Sequence, residues 1–499
     1  MPAQVTTRAQ VNGYRFLIRR LEHALIRGDS RMIHDPMRGQ MRALIVGLVI
    51  AVVITGGAGV MAFFKPAPNM GDAQILLSKS SGAAFVRIGD RVHPVLNLAS
   101  ARLIVGKNDN PKDVDDKFLN TVPRGPMVGI VGAPASIRGA DDLAMSSWTV
   151  CDTLQTPGVT ETTGMASLQT TVLGNDPVLD GEIRAADPGQ AILTEVGGRT
   201  YLVYDGVRAP IDMSDAVVVN GLHLQGAPLR PMSLGLLNAF PLVDPITPVT
   251  IDGRGERSAM VGPDYVVGSI VKTVDSRGEQ LYVVQRDGLQ PISAATADII
   301  RYGDADTART ATHEIAPAVV AGVPIVHPMR VDHYPAVSPQ IVSPGPNPVV
   351  CMGWQRPNAV AQAKVRLIVG HKLPMPTGAE TVRLATTDGN GPGLDSVYLT
   401  PGSGEYVQAT GIEPASQSTG PLFYISDTGL RYHIKDSPTA DALGVVGVKA
   451  AGQQSATPQL APWPVLAQLP SGPELSQEAA LVAHDGLAPD PNSVGVPKS

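Results

Sequence analysis

The chain has 499 residues, 43% apolar and 17% charged, with 52 Gly, 44 Pro and only 4% aromatics. Its length exceeds one ordinary domain, and its apolar share excludes a globally disordered chain. The formal charge of −6 divides unevenly, since residues 1–42 hold eight Arg against Glu22, Asp29 and Asp35, leaving an acidic remainder ill suited to nucleic acid.

In chain order, Thr6 or Thr7 can cap a first helix running to about Arg27. Tyr14, Leu17, Ile18, Leu21 and Leu25 recur at spacings of three and four and form one apolar stripe, with Arg15, Arg19, Arg20 and Glu22 off it. Such a helix is marginal alone in water. The stripe therefore reads as a partner-docking face, the alternative being the anionic surface of a lipid bilayer. From Ala43 to Phe64 no residue is charged. A helix of that length spans about 33 Å, enough for a hydrocarbon core of about 30 Å. A cleaved signal peptide fits poorly, because the basic region is too long and the apolar run too extended. The Arg excess before the span places residues 1–42 in the cytoplasm and everything after Lys65 outside. Gly56, Gly57 and Gly59 form a small-residue stretch suited to helix packing in the membrane.

After a linker (65–80), four stretches share an aromatic-led strand, an acidic or Gly turn and a second short strand: they begin at Phe85, Tyr201, Tyr282 and Phe423. Asp205-Gly206 and Asp287-Gly288 are hairpin signals, since both residue types tolerate positive φ. The first three second strands carry Pro94, Pro210 and Pro291 at one point, where the fourth has Tyr432. A short helix is expected after each hairpin, at Leu98–Val105, Ser214–Leu222, Ala294–Tyr302 and Thr439–Val445.

Cys151 lies 62 residues after Gly89, and Cys351 lies 63 after Gly288, each with a Trp three residues away (Trp148, Trp354) and each leading to a strand-like run. The order repeat, Cys strand, repeat, twice over, points to an internal duplication with a central β module. Equivalent cysteines of a duplicated body can meet at its axis, and outside the cytoplasm disulfides persist, so Cys151–Cys351 is the expected bridge. Two independent buried thiols are the alternative.

The expectation is therefore an α+β protein. One N-terminal transmembrane helix leads into an elongated extracytoplasmic part with four small β-hairpin/helix repeats around a central β domain. The boundaries read 1–42 for the basic head, 43–64 for the span, 81–140 for repeat 1 and 141–195 for the first part of the central domain. Repeat 2 takes 196–245, an inter-half linker 246–265, repeat 3 266–335, the second central part 336–415 and repeat 4 416–450. A Pro-rich segment with a short helix capped by Ser476 fills 451–499. Pro241–Pro248 reads as a hinge between the halves.

Catalytic chemistry has no clear carrier. Gly106-Lys107 is followed by Asn108 and lacks the spacing of a phosphate loop. His327, Asp332 and His333 lack metal-ligand spacing, and Asp113, Asp115 and Asp116 read as a solvated turn. No G-x-S-x-G elbow occurs. No cofactor, metal or catalytic residue is assigned.

Several motifs together resemble the EccB membrane components of mycobacterial type VII (ESX) secretion systems. They are the head Thr7–Arg20, Arg31-Met32 with Asp35-Pro36, His93-Pro-Val-Leu-Asn-Leu-Ala-Ser-Ala-Arg-Leu, Pro123-Arg-Gly-Pro, Trp148-Thr-Val-Cys-Asp, Asn238-Ala-Phe-Pro, Ser426-Asp-Thr-Gly-Leu-Arg-Tyr and Gly472-Pro-Glu-Leu-Ser with His484-Asp485. The resemblance implies a structural subunit of an inner-membrane secretion complex that self-associates beside EccC (the motor ATPase), EccD, EccE and a mycosin protease. It implies four repeat domains around a central β domain with one disulfide, the repeats being similar to peptidoglycan-binding modules. The competing class is an enzyme, a weak ATPase or hydrolase as the family is sometimes labelled, or a cell-wall (peptidoglycan) binding module.

Overall fold

The computed structural model describes residues 6–31, 36–64, 72–134, 137, 144–155, 167–276, 278–306, 311–357, 360–387, 393–445 and 457–487. The linker Lys65–Gly71 and the tail from Pro489 lie outside them. The chain divides into Met1–Gly71 and Asp72–Ser499, each taken here by itself.

The first unit is helical. Arg8–Arg27 starts at Thr7, whose backbone N–H donates to Gln10 Oε1 at 3.0 Å, one half of a capping box. It ends where Gly28 turns to φ 66 and returns its N–H to Ala24 O at 3.0 Å. Only glycine adopts that left-handed cap without a steric penalty. The second helix runs Pro36–Phe64, opening earlier than the expected Ala43 because Pro36 presets the first helical turn. Its stretch Gly39–Met61 is long and apolar enough to cross a membrane.

The second unit contains four small four-stranded sheets and one seven-stranded sheet among the described residues. Each small sheet repeats one register. Phe85 lies opposite Pro94, Tyr201 opposite Pro210, Tyr282 opposite Pro291, and Phe423 opposite His433. The fourth loop is one residue longer, so His433 rather than Tyr432 fills the proline place. Asp205 (φ 45) and Gly206 (φ 78) make a tight two-residue turn as expected. In the third hairpin the turn instead falls on Arg286-Asp287, with Gln285 N–H bonded to Gly288 O at 2.9 Å. Gly288 serves a different end: a Cβ there would meet Pro324 O at 2.1 Å.

That contact belongs to an edge strand repeated four times. Pro123, Pro241, Pro324 and Pro470 each offer a carbonyl to the second hairpin strand, accepting from Val92, Arg208, Leu289 and Arg431 N–H at 2.9 Å. Two residues on, Gly125, Val243, Val326 and Gly472 return an N–H to the same four residues. A proline suits a sheet edge because it has no N–H to leave unpaired.

The helices are Leu98–Val105, Ala216–Gly221, Ala294–Tyr302 and Ser437–Leu443, capped by the side chains of Asn97, Asp215, Ser293 and Asp436. They pack in pairs across the duplication. The second repeat shares a core with the third through Val218, Leu222, Ala295 and Ile299. The first shares one with the fourth through Ala99, Leu103, Tyr432 and Leu443. Gly221 allows the closer approach, since a Cβ would meet Ile299 Cα at 2.8 Å.

The seven-stranded sheet is built on Met145–Gln155 paired antiparallel with Val349–Pro357. The halves exchange strands at its flanks: Ile183–Ala185 of the first pairs with Lys364–Gly370 of the second, and Ser396–Tyr398 of the second pairs with Ser167–Leu173 of the first.

Several sequence boundaries move. Gln190–Val196 and Gly404–Thr410, assigned to the central domain, are hairpin strands of repeats 2 and 4. The parallel strand of repeat 4, Gln459–Pro462, lies in the supposed C-terminal segment, and repeat 2 borrows Gln340–Ile341 from the other half. The hinge reading of 241–248 and the linker reading of 246–265 also give way. Pro241–Ile246 pairs along repeat 2, and Ile246 and Ile251 are buried in the core shared with repeat 3. The C-terminal helix capped by Ser476 is one turn, Gln477–Ala480, because the next residues, Ala483–His484, pair with Met127–Val128.

Candidate functional site

Three places stand out among the described residues. On the first helix Tyr14, Leu17, Ile18, Leu21 and Leu25 are all exposed, from 40% at Ile18 to 78% at Leu25. Nothing among the described residues covers that stripe.

On the second helix Gly56, Gly57 and Gly59 have no heavy atom within 4 Å of a built Cβ beyond the helix itself. Thr55 donates its hydroxyl back to Ala51 O, which hides its polarity within the helix. The sequence reading missed a longer regularity: Gly39, Ala43, Gly47, Ala51, Thr55 and Gly59 fall at every fourth position. That period lays small residues along one inclined i+4 ridge, which winds about 200° around the helix from Gly39 to Gly59, so neighbours four apart share a face where another backbone can approach in lipid.

The third place is the middle of the large sheet. Cys151 lies directly opposite Cys351 and Trp148 opposite Trp354. The two cysteines are bonded, with Cα atoms 4.0 Å apart, and both are fully buried. The cross-link joins residues 200 apart in sequence, which in the chain-entropy account constrains the unfolded chain by up to about 5 kcal/mol.

Beside it stands a polar clamp that sequence reasoning missed. Asp152 accepts hydrogen bonds from Ser233 N–H (2.6 Å), Ser233 Oγ (2.9 Å) and Thr170 Oγ1 (2.9 Å). Arg230 donates to Asn347 O and Pro348 O, each at 2.6 Å, while Thr194 Oγ1 donates to Arg230 O at 2.8 Å. The clamp ties repeat 2 to the strand Met145–Gln155 and to the two residues that lead into Val349–Pro357. Burial pushes the Asp152 carboxyl above its ordinary range, opposed by its hydrogen bonds from Ser233 and Thr170 and by the charge of Arg230. Burial brings Arg230 down to about 10, still cationic at neutral pH. The duplication gave no signal for this site, because the place matching Asp152 in the second half is Met352.

A second buried acid, Glu405, sits in the first strand of repeat 4 with Oε2 unpartnered among the described residues, and burial raises it to about 8. Among the described residues no group of three or more His, Cys, Asp or Glu is placed to hold a metal ion. Gly106 is the C-cap of helix Leu98–Val105 at φ 71. Gly106-Lys107 therefore sits at the negative end of a helix, whereas phosphate loops lead into a positive N-terminus.

The family described as "Type VII secretion system ESX-1, transport TM domain B" matches residues 3–489. The chain is 36% identical to "ESX-3 secretion system ATPase EccB3" of Mycolicibacterium smegmatis, covering 98% of this chain and 92% of that one. It is 35% identical to "ESX-5 secretion system ATPase EccB5" of Mycobacterium tuberculosis, covering 99% and 97%. Among solved structures, a chain of an intact ESX-5 inner membrane complex matches with a TM-score of 0.70 and 32% identity, over 100% of this chain and 99% of that one. A chain of the EccB3 dimer from the ESX-3 core complex matches with a TM-score of 0.68 and 34% identity, over 82% and 100%.

Proposed function

Because the chain belongs to the EccB family of type VII secretion membrane components, we propose a division of labour among its parts within an ESX inner-membrane complex. The protein is a structural membrane subunit of such a complex. The head faces the cytoplasm and lays its stripe on the motor assembly of EccC, EccD and EccE. The small-residue ridge of the second helix packs against neighbouring helices. The disulfide-bonded body stands outside, associates with further copies of itself and lies beside the mycosin protease. The observation that carries this reading is the agreement with EccB chains over the whole length, span and body alike.

The relatives' printed names include the word ATPase. We read the body as non-enzymatic, because Gly106-Lys107 caps the wrong end of a helix and the buried acids Asp152 and Glu405 lie inside cores. The test is a detergent-purified complex sized and assayed for nucleotide turnover with and without EccC. Turnover should follow EccC, and deleting this chain should collapse the complex. Turnover by this chain purified alone would overturn the reading. For orientation, a reporter fused after residue 30 should be active only in the cytoplasm and one after residue 499 only outside; both ends on one side would refute it.

A further inference from the structure

A groove of about 680 Å³ runs between the second and fourth repeats, with Leu234, Leu242 and Trp463 on its walls and buried Phe240 in its lining. The wall side chains are 53%, 56% and 43% exposed, and the two leucines are the most exposed large apolar groups described after residue 71. Exposing them costs solvation free energy that an occupant would recover.

Two further features say what the occupant is. Leu242 lies on the proline-led edge strand, where Pro241 O and Val243 N–H pair with Arg208 at 2.9 and 3.0 Å. The N–H and C=O of Leu242 itself take no part in that pairing, so the strand has an open edge. Arg208 lines the same groove with its guanidinium 5.7 Å from the Tyr201 ring centroid. It donates to Asn238 Oδ1 at 2.8 Å, and among the described residues its Nε is buried without a partner and it makes no ion pair. Burial lowers its pKa. Glu413 also lines the groove but stands exposed and unpaired with Arg208. The matching residue of the fourth repeat, Arg431, shares the buried, unpartnered Nε but is covered: it stacks 4.9 Å from the Trp463 ring and 5.2 Å from the Phe423 ring and gives Nη1 to Leu466 O at 2.7 Å.

We propose that this groove receives an extended peptide segment of another protein. The segment adds as a strand along Leu242, sets apolar side chains against Leu234 and Trp463, and places a carboxylate on Arg208. Main-chain edge, apolar pockets and one cation are together the parts of recognition by strand addition, in which alternate side chains give specificity. The inference does not depend on the secretion partners named above.

The test pans a random heptapeptide phage library on the full-length chain in detergent. Enriched peptides should carry Asp or Glu with apolar residues at alternate positions. They should shift the fluorescence of Trp463, since Trp148 and Trp354 are buried. Arg208→Gln should weaken an enriched peptide roughly tenfold, the weight of one charge-assisted hydrogen bond, and a second selection on that variant should lose the acidic position. Arg208→Lys should retain it. Leu242→Pro should abolish binding while the urea midpoint of the protein stays in place. Failure to enrich any peptide that moves the Trp463 signal would overturn the proposal. So would enrichment of peptides without an acid that bind Arg208→Gln equally well.

Discussion

Replacing Asp152 by Ala tests whether the clamp beside the disulfide holds repeat 2 to the central sheet. The change strips the acceptor from three donors at 2.6–2.9 Å and leaves Arg230 without its nearby negative charge. Each buried donor left unsatisfied costs about 1–3 kcal/mol, though hydroxyls can rotate to other acceptors. With three such donors losing one acceptor group, about 4 kcal/mol is expected for Asp152→Ala. Asp152→Asn keeps one acceptor oxygen and the shape, and should cost about half as much. Ser233 is also the N-cap of helix Leu234–Asn238 through Leu236 N–H; Ser233→Ala alone should cost about 1–2 kcal/mol. The assay is urea unfolding of the full chain in detergent at pH 7, followed by the fluorescence of Trp148 and Trp354, which are buried in that sheet. Because both partners share one network, the double variant should fall short of the sum by at least about 1 kcal/mol. A cost below about 1 kcal/mol for Asp152→Ala, or strict additivity with Ser233→Ala, would refute the clamp.

Leu17→Asp with Leu21→Asp should release EccC and EccD from co-purification while the outside body stays folded, since burying each Leu is worth about 1.5–3 kcal/mol. Arg15→Gln with Arg19→Gln should matter much less, unless the helix lies on anionic lipid; intact assembly from the double Asp variant would show that the stripe is not the docking face. Non-reducing peptide mapping should recover Cys151 joined to Cys351, and Cys151→Ser with Cys351→Ser should lower stability by roughly 2–5 kcal/mol; thiols alkylated in the native protein without reductant would contradict the bridge. Glu405 titrates near 8 when folded against 4.5 as its ordinary value, so the native state binds the extra proton between those limits. Its contribution is full below pH 4.5 and is lost as pH rises towards 8, by at most about 5 kcal/mol. Relative to Glu405→Gln, the native protein should therefore lose stability from pH 5 to pH 8, and parallel profiles for the two would count against a neutral buried acid.

Features written in a single stretch of chain were legible. The charge-free run from Ala43 needs no partner to be read, because hydrocarbon admits only an internally bonded helix of that length. The stripe on Arg8–Arg27 follows from a period of 3.6, and the hairpins from turn residues between short strands. Even here one residue misled: the Asp-Gly pair of the third hairpin is offset by one from its turn, since Gly288 is required by the approach of Pro324 rather than by a positive φ.

What the sequence by itself determined is thus the anchor, the head helix, the repeated hairpin-helix unit and the duplication that set Cys151 against Cys351. Only the tertiary structure decided how the units close. It assigned Pro241–Ile246 to an edge strand rather than a hinge, lent Gln340–Ile341 to repeat 2, crossed strands between the halves of the central sheet and brought Ser233 to Asp152. These pairings join residues far apart in the chain, where no local period links one partner to the other. A proline-led segment carries the same local signal whether it crosses solvent or closes a sheet, and it becomes a strand only where a neighbour's unpaired N–H lies in reach.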